Sequence, residues 1–252
     1  MTNKLKYFVG NWKMFGDFGS FKIANKINKF TNKQKSLKNF KVVLCPPNIL
    51  INYFKKKLKK KSIYIGAQNC HHEEKYGPFT GAISSKMLKK MGAEYIILGH
   101  SENRSEGETS QLIKKKIISS LNQKLNIILC IGETYKDKIN GKTFSVLKNQ
   151  INNSLEKKFN KNKIILAYEP VWSIGTNKLP KTKNLITNIK FIKNIFKKKF
   201  KTEIFPKVLY GGSVNNKSIK ILSNISEIDG FLIGGASQSD KKFIDIIKKY
   251  YK

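Results

Sequence analysis

Short, nearly continuous apolar runs punctuate the chain: Lys6 to Val9, Val42 to Leu44, Ile63 to Ile65, Tyr95 to Leu98, Ile127 to Ile131, Ile164 to Tyr168, Val208 to Tyr210 and Phe231 to Ile233. Each has the length of a strand. Unbroken apolar character predicts strands covered on both faces, as in a parallel sheet, rather than the in-out alternation of a sheet with one wet face. Between most runs the apolar residues switch to helical spacing, in Phe21 to Phe30, Ser110 to Leu121, Thr143 to Phe159 and Leu185 to Phe200, with a last helix over Lys241 to Tyr250. About eight strand-helix units in ~250 residues is the content of a (β/α)8 barrel, whereas a doubly wound sheet of this length has fewer strands. No composition shift or Gly/Ser-rich linker divides the sequence, so the expected architecture is α/β, one barrel domain over residues 1–252.

Composition leaves this picture intact. Hydrophobic residues at 40% and charged residues at 26% are ordinary for a globular protein with a sizeable core. The apolar runs are too short, and too often broken by Lys, Asn or Gly, for a membrane-spanning helix. Met1 to Gly10 places Lys4 and Lys6 in a strand-like run and lacks the features of a secretory leader, so a cytoplasmic protein is expected. Cys45, Cys70 and Cys130 are odd in number, far apart and without CxxC spacing. They read as reduced thiols, Cys130 being a small core residue rather than a nucleophile.

Charge is the one extreme. Lys and Arg total 50 against 16 Asp and Glu, a net charge of +34, and such a field attracts phosphorylated small molecules and polyanions alike. The rival reading is therefore a basic nucleic-acid-binding protein on a barrel scaffold, which predicts clustered Arg and exposed aromatics on one face. Lysine instead vastly outnumbers arginine and is spread along most helices. The runs Lys55 to Lys61, Lys114 to Lys116 and Lys197 to Lys199 read as solvated helix faces. This pattern fits a compositional bias of the source genome, and nucleic acid is not expected as a partner.

Polar and glycine residues gather just after the strands: Gly10-Asn11-Trp12-Lys13, Cys45-Pro46-Pro47, Gly66-Ala67-Gln68-Asn69, Gly99-His100-Ser101-Glu102, Gly132-Glu133, Glu169-Pro170, Gly211-Gly212-Ser213 and Gly234-Gly235. In a barrel these ends converge on one face, where active sites form. Singly each is weak, since a lone His or Glu beside a strand is usually structural.

Taken together, Asn11-Trp12-Lys13, Gly99-His100-Ser101-Glu102, the stretch from Ala167 through Glu169 to Thr176, and Tyr210-Gly211-Gly212-Ser213-Val214 closely resemble the signatures of the triosephosphate isomerase family. They occur in the family's order and at similar spacings over essentially the whole chain. The resemblance implies a TIM barrel and a cofactor-free aldose-ketose isomerase, an intramolecular oxidoreductase of glycolysis and gluconeogenesis with no metal. The implied reaction interconverts dihydroxyacetone phosphate and D-glyceraldehyde 3-phosphate through an enediolate. Glu169 matches the base, which must be ionised, desolvated and close to the substrate carbon. His100 matches the electrophile; it directly precedes an expected helix capped by Ser101, whose dipole disfavours imidazolium. Lys13 matches the cation that offsets phosphate and enediolate charge, and Asn11 a neutral donor nearby. Glu102 matches a residue close to Lys13 and His100, with a supporting electrostatic or proton-handling role. Gly175, Ser213, Gly234 and Gly235 match backbone donors to the phosphate, with a short helix after Gly235 adding its N-terminus.

Pro170 to Pro180 resembles the family's mobile lid, with two departures: Asn177 stands for a usual glycine, and Leu179-Pro180 alters the hinge after Lys178. Asn tolerates positive φ, so closure is expected to survive. Gln68 to Ala82 (the 68–82 loop), containing Gly77-Pro78-Phe79-Thr80-Gly81, resembles the loop by which family dimers insert Thr80 beside the partner's active site. A homodimer covering Tyr76 and Phe79 is implied. The family commonly has an acid after Thr80-Gly81 and an Arg after Ser101-Glu102; this chain has Ala82 and Asn103, so both sides of an ion pair are absent together. Other phosphate-binding barrels, aldolase-like or of the tryptophan pathway, need a Schiff-base lysine or a different acid/base set, which the Asn-Lys, His, Glu arrangement does not match.

Overall fold

The computed structural model describes residues 5–34, 39–58 and 62–251. Lys4 and Lys59 to Lys61, which entered the sequence reading, lie outside the described residues. Every apolar run is a strand: β1 Lys6–Asn11, β2 Phe40–Cys45, β3 Ile63–Ala67, β4 Tyr95–Leu98, β5 Asn126–Ile131, β6 Ile164–Tyr168, β7 Lys207–Tyr210 and β8 Gly230–Ile233. The strands are parallel and follow sequence order around a closed barrel, with β8 returning to β1 in the register Tyr7↔Gly230 to Gly10↔Ile233.

Two apolar layers explain why the runs are unbroken. Tyr7, Val9, Val43, Cys45, Ile97, Ile128, Cys130, Ile165, Ala167, Leu209 and Leu232 fill the barrel interior. Their neighbours along the strands, among them Phe8, Val42, Leu44, Ile96, Leu98, Leu129 and Leu166, face outward and pack under the helices. Each fully buried aliphatic or aromatic side chain contributes roughly 1.5–3 kcal/mol, so neither strand face tolerates a polar residue without a partner.

The outer layer comprises α1 Phe21–Gln34, α2 Asn48–Lys57, α3 Ser85–Met91, α4 Ser101–Ser105, α5 Ser110–Asn122, α6 Tyr135–Ile139, α7 Thr143–Ser154, α8 Thr182–Phe200, α9 Ile219–Leu222 and α10 Asp240–Tyr250. The expected Thr143 to Phe159 helix is five residues too long against α7: Leu155 turns to extended backbone (φ −113°, ψ 149°). Leu155 and Phe159 still reach the core, but from the connection to β6.

The reading of the basic runs as solvated faces needs correction. Lys116 is buried and pairs with the equally enclosed Glu108, while also donating to Asn69 Oδ1 at 3.1 Å. Lys55 pairs with Glu94, and Lys197 lies over the Phe205 ring while reaching Glu203 at 2.6 Å. The long lysine stem suits such positions because its methylenes cover apolar surface while the ammonium finds a partner. Among the described residues no helix is long and apolar enough to cross a membrane.

Candidate active site

The C-terminal ends of the strands surround a cleft of about 770 Å³. Asn11, Lys13, His100, Glu169, Gly175, Ser213, Gly234 and Gly235 all line it, although they come from β1, β4, β6, β7, β8 and the connections after them. Glu102 is the one sequence-selected residue outside this lining. Its carboxylate is reached from the cleft by Lys13, Nζ to Oε1 2.5 Å.

Asn11 ends β1 and accepts the Lys13 N–H on its side-chain oxygen at 3.1 Å. Gln68 donates to the Lys13 carbonyl at 2.8 Å. These bonds hold Lys13 at φ +55°, a left-handed conformation uncommon for a residue with a β-carbon, and send its side chain toward Glu102.

His100 corrects the expected helix cap. Its own ring, not Ser101, caps α4: Nδ1 accepts the Glu102 N–H at 3.3 Å. Glu102 Oε2 also lies 3.5 Å from Nδ1, while Lys13 holds Oε1, and the shorter backbone contact makes Nδ1 the acceptor. A ring nitrogen that accepts carries no proton, so the hydrogen-bond pattern leaves Nε2, which faces Glu169, as the donor. Arg104, the only arginine in the sequence, steadies this corner by donating to Gly99 O at 2.8 Å, Cys130 O at 3.2 Å and Ser110 Oγ at 3.2 Å.

Glu169 follows β6 and is 3% exposed, its Oε1 3.4 Å from His100 Nε2 and its Oε2 without a hydrogen-bond partner. Burial raises its pKa above the ordinary carboxylate range, against the opposing pull of His100, the Cys130 thiol and Lys13. A desolvated carboxylate with one oxygen unengaged is a stronger base than the same group in water. Its place depends on Gly211, where a β-carbon would fall 2.5 Å from Glu169 Cγ.

The opposite end of the cleft is backbone. Gly175, at φ +70°, and Gly235 have open space where a side chain would project, and Gly235 begins a 3-10 turn, Gly235–Gln238. Lys217 and Lys242 line the same cleft, so its rim carries cations suited to a dianion. Among the described residues no cluster of His, Cys, Asp or Glu is arranged to hold a metal ion.

Comparison with known proteins agrees with the fold. The family model for triosephosphate isomerase matches residues 6–250. The chain belongs to the triosephosphate isomerase family. It is 39% identical to the triosephosphate isomerase of Dictyoglomus thermophilum over 251 residues, covering 96% of this chain and 98% of that one. The Alkaliphilus metalliredigens enzyme is 39% identical over 247 residues, covering 95% and 97%. The crystal structure of the Bartonella henselae triosephosphate isomerase superposes with a TM-score of 0.89 at 32% identity, covering 98% of this chain and 99% of that one.

Asn177, after Glu169, adopts positive φ (+59°) and donates its N–H to Ser213 Oγ at 3.0 Å. Its side chain also accepts from Asn215 Nδ2 at 3.3 Å, a bond glycine cannot make. Sequence reasoning assigned no role to Glu133, which is buried after β5 and accepts from Trp172 Nε1 at 2.9 Å and Tyr168 Oη at 3.1 Å. Lys138 Nζ stands 3.5 Å above the Trp172 ring. The signal for Glu133 was an acid directly after an apolar strand. Lys138, Lys217 and Lys242 had no signal amid so many lysines.

Proposed function

We propose that this chain interconverts dihydroxyacetone phosphate and D-glyceraldehyde 3-phosphate by proton transfer between adjacent carbons, as a single barrel domain working in the cytoplasm as a homodimer. The observation that carries the reading is the buried Glu169 carboxylate 3.4 Å from His100 Nε2 on the floor of a cationic cleft, in a chain of this family. Glu169 takes the proton from the carbon next to the carbonyl. The C–H electron pair forms the enediolate double bond, and the carbonyl oxygen takes up the negative charge. His100 Nε2–H donates to that oxygen, Asn11 adds a neutral donor, and Lys13 supplies a compensating cation held in place by Glu102. The hydroxyl proton on the deprotonated carbon's oxygen moves, by way of His100 Nε2, to the former carbonyl oxygen, and Glu169, now a carboxylic acid, returns its proton to the neighbouring carbon as the freed oxygen forms the new carbonyl. Gly175, Ser213, Gly234 and Gly235 offer backbone N–H groups to the phosphate.

The dimer reading is supported by exposed apolar residues near the cleft. Met14 is fully exposed, Tyr76 is 63% exposed and Phe79 is 41% exposed. Gln68 bonds to the Lys13 carbonyl, so the loop carrying Tyr76, Phe79 and Thr80 starts beside Met14. A second copy covers this surface, with Thr80 reaching the partner's cleft. The polyanion reading has lost its best side chain, because Arg104 is committed to backbone carbonyls.

A coupled assay of glyceraldehyde 3-phosphate turnover tests the assignment. Glu169→Asp withdraws the carboxylate by one methylene and is expected to lower kcat about 10²-fold. His100→Gln is expected to cost about 10²–10⁴-fold. Equal rates for the wild type and both variants would contradict it.

A further inference from the structure

Ser173 lies inside the lid segment and is completely buried, with a hydroxyl whose hydrogen-bonding capacity is filled. Its Oγ donates to the Lys178 carbonyl at 2.5 Å, so the two ends of the lid tip are tied into a ring. With that proton committed, the 2.9 Å contact to Tyr210 is an O–H donated by the tyrosine. Burial pushes Tyr210 up to about 12, so the donor stays protonated across the working range. The Ser213 N–H points at the same Oγ from 3.5 Å, and Ser213 Oγ donates back to the Ser173 carbonyl at 2.5 Å. Space for this hub exists because position 212 is glycine: a β-carbon there would fall 2.2 Å from Tyr210 Oη and 2.6 Å from Ser173 Oγ.

We propose that Ser173 is a positioning residue for the phosphate end of the substrate, pinning the seated lid to Tyr210 and Ser213 so that Gly175 faces the anion. This rests on the phosphate reading of that end of the cleft. The long Ser213 N–H contact is the one an incoming phosphate oxygen displaces, since at 3.5 Å it is the weakest of the set. The remaining bonds keep the ring closed. The pin favours the seated lid, so binding does not have to supply its full ordering cost.

Ser173→Ala removes the pin and leaves the carboxylate and imidazole untouched. For glyceraldehyde 3-phosphate, kcat/KM is expected to fall about tenfold, mainly through KM, because the competent lid is less populated. For unphosphorylated glyceraldehyde, followed by NMR at high enzyme concentration, the rate is expected to stay within about twofold of the wild type, since that substrate has no phosphate to meet the lid. Tyr210→Phe should reproduce the split, and the double variant should lose little more than either single one, because both remove the same bond. Equal losses on the two substrates, additive effects, or a lowered Tm with unchanged kinetics would each overturn the proposal. Glu169→Gln serves as the separate control: full activity there would instead sink the reaction assignment.

Discussion

His100 Nε2 and Glu169 Oε1 face each other at 3.4 Å, one at the end of β4 and the other at the end of β6, both almost wholly withdrawn from water. The burial of Glu169 carries a measurable cost, which His100 only partly offsets. Glu169 ionises near its ordinary 4.5 in the unfolded chain and higher in the folded one, chiefly because of burial. Between those values the native state holds more protons than the unfolded state, so stability falls as pH rises. Glu169→Gln should therefore melt above the wild type at neutral pH, with the gap closing as pH drops toward 4.5 and absent below it. Each ~1 kcal/mol corresponds to about 2–4 °C in a chain of this size. The acid limb of kcat/KM should lie above the ordinary carboxylate range for the same reason. A Glu169→Gln variant that melts below the wild type at pH 7 would contradict the account.

Lys116 and Lys115 are adjacent in sequence and opposite in environment, one buried and one exposed. Lys116→Met would leave the Glu108 carboxylate enclosed, with Oε2 already lacking a partner, at a cost of about 3–5 kcal/mol. Lys115→Met should stay within about 0.5 kcal/mol. Urea denaturation of both variants decides the matter, and similar midpoints would mean that Lys116 is solvated after all.

Asn177 holds φ +59° in the lid. Glycine there keeps the backbone and loses only the Asn215 bond, whereas a β-branched residue adds about 1–2 kcal/mol of strain to the seated lid. The corresponding loss of seated population is about five- to thirtyfold. Asn177→Val is expected to raise KM for the phosphorylated substrate by that order and Asn177→Gly by much less. The reverse ranking would remove the left-handed turn from the explanation.

The surface of Met14, Tyr76 and Phe79 should close on a second copy without the Ala82/Asn103 ion pair. Sedimentation at micromolar concentration is expected to give twice the 28.9 kDa chain mass. Phe79→Asp is expected to shift it to monomer. A monomeric wild type would end the dimer reading and with it the role of Thr80.

The barrel was readable because strands buried on both faces leave an unmistakable trace: Ile127 to Ile131 has no polar residue for water to claim. The site was readable because barrel geometry sends every strand end to one side, so residues as far apart as Asn11 and Gly235 needed only to follow strands. Side-chain direction was not. That His100 caps α4 with its own ring depends on a rotamer, and the Ser173 hub on a gap left by Gly212. Lys116 was legible in principle, since Ile113, Lys116, Ile117 and Ser120 repeat at helical spacing along one buried face of α5. A lysine-rich composition concealed it.

The seam between β1 and β8 has a consequence for when this molecule begins to work. A nascent chain released as far as β7 already owns its proton-transfer pair, but Lys13 has no neighbouring Gly234 and β1 has an open edge. Turnover is therefore expected to start only when the last strand docks on the first. Any lesion that parts this seam silences the reaction from a distance, which makes catalysis itself an audit of completed assembly.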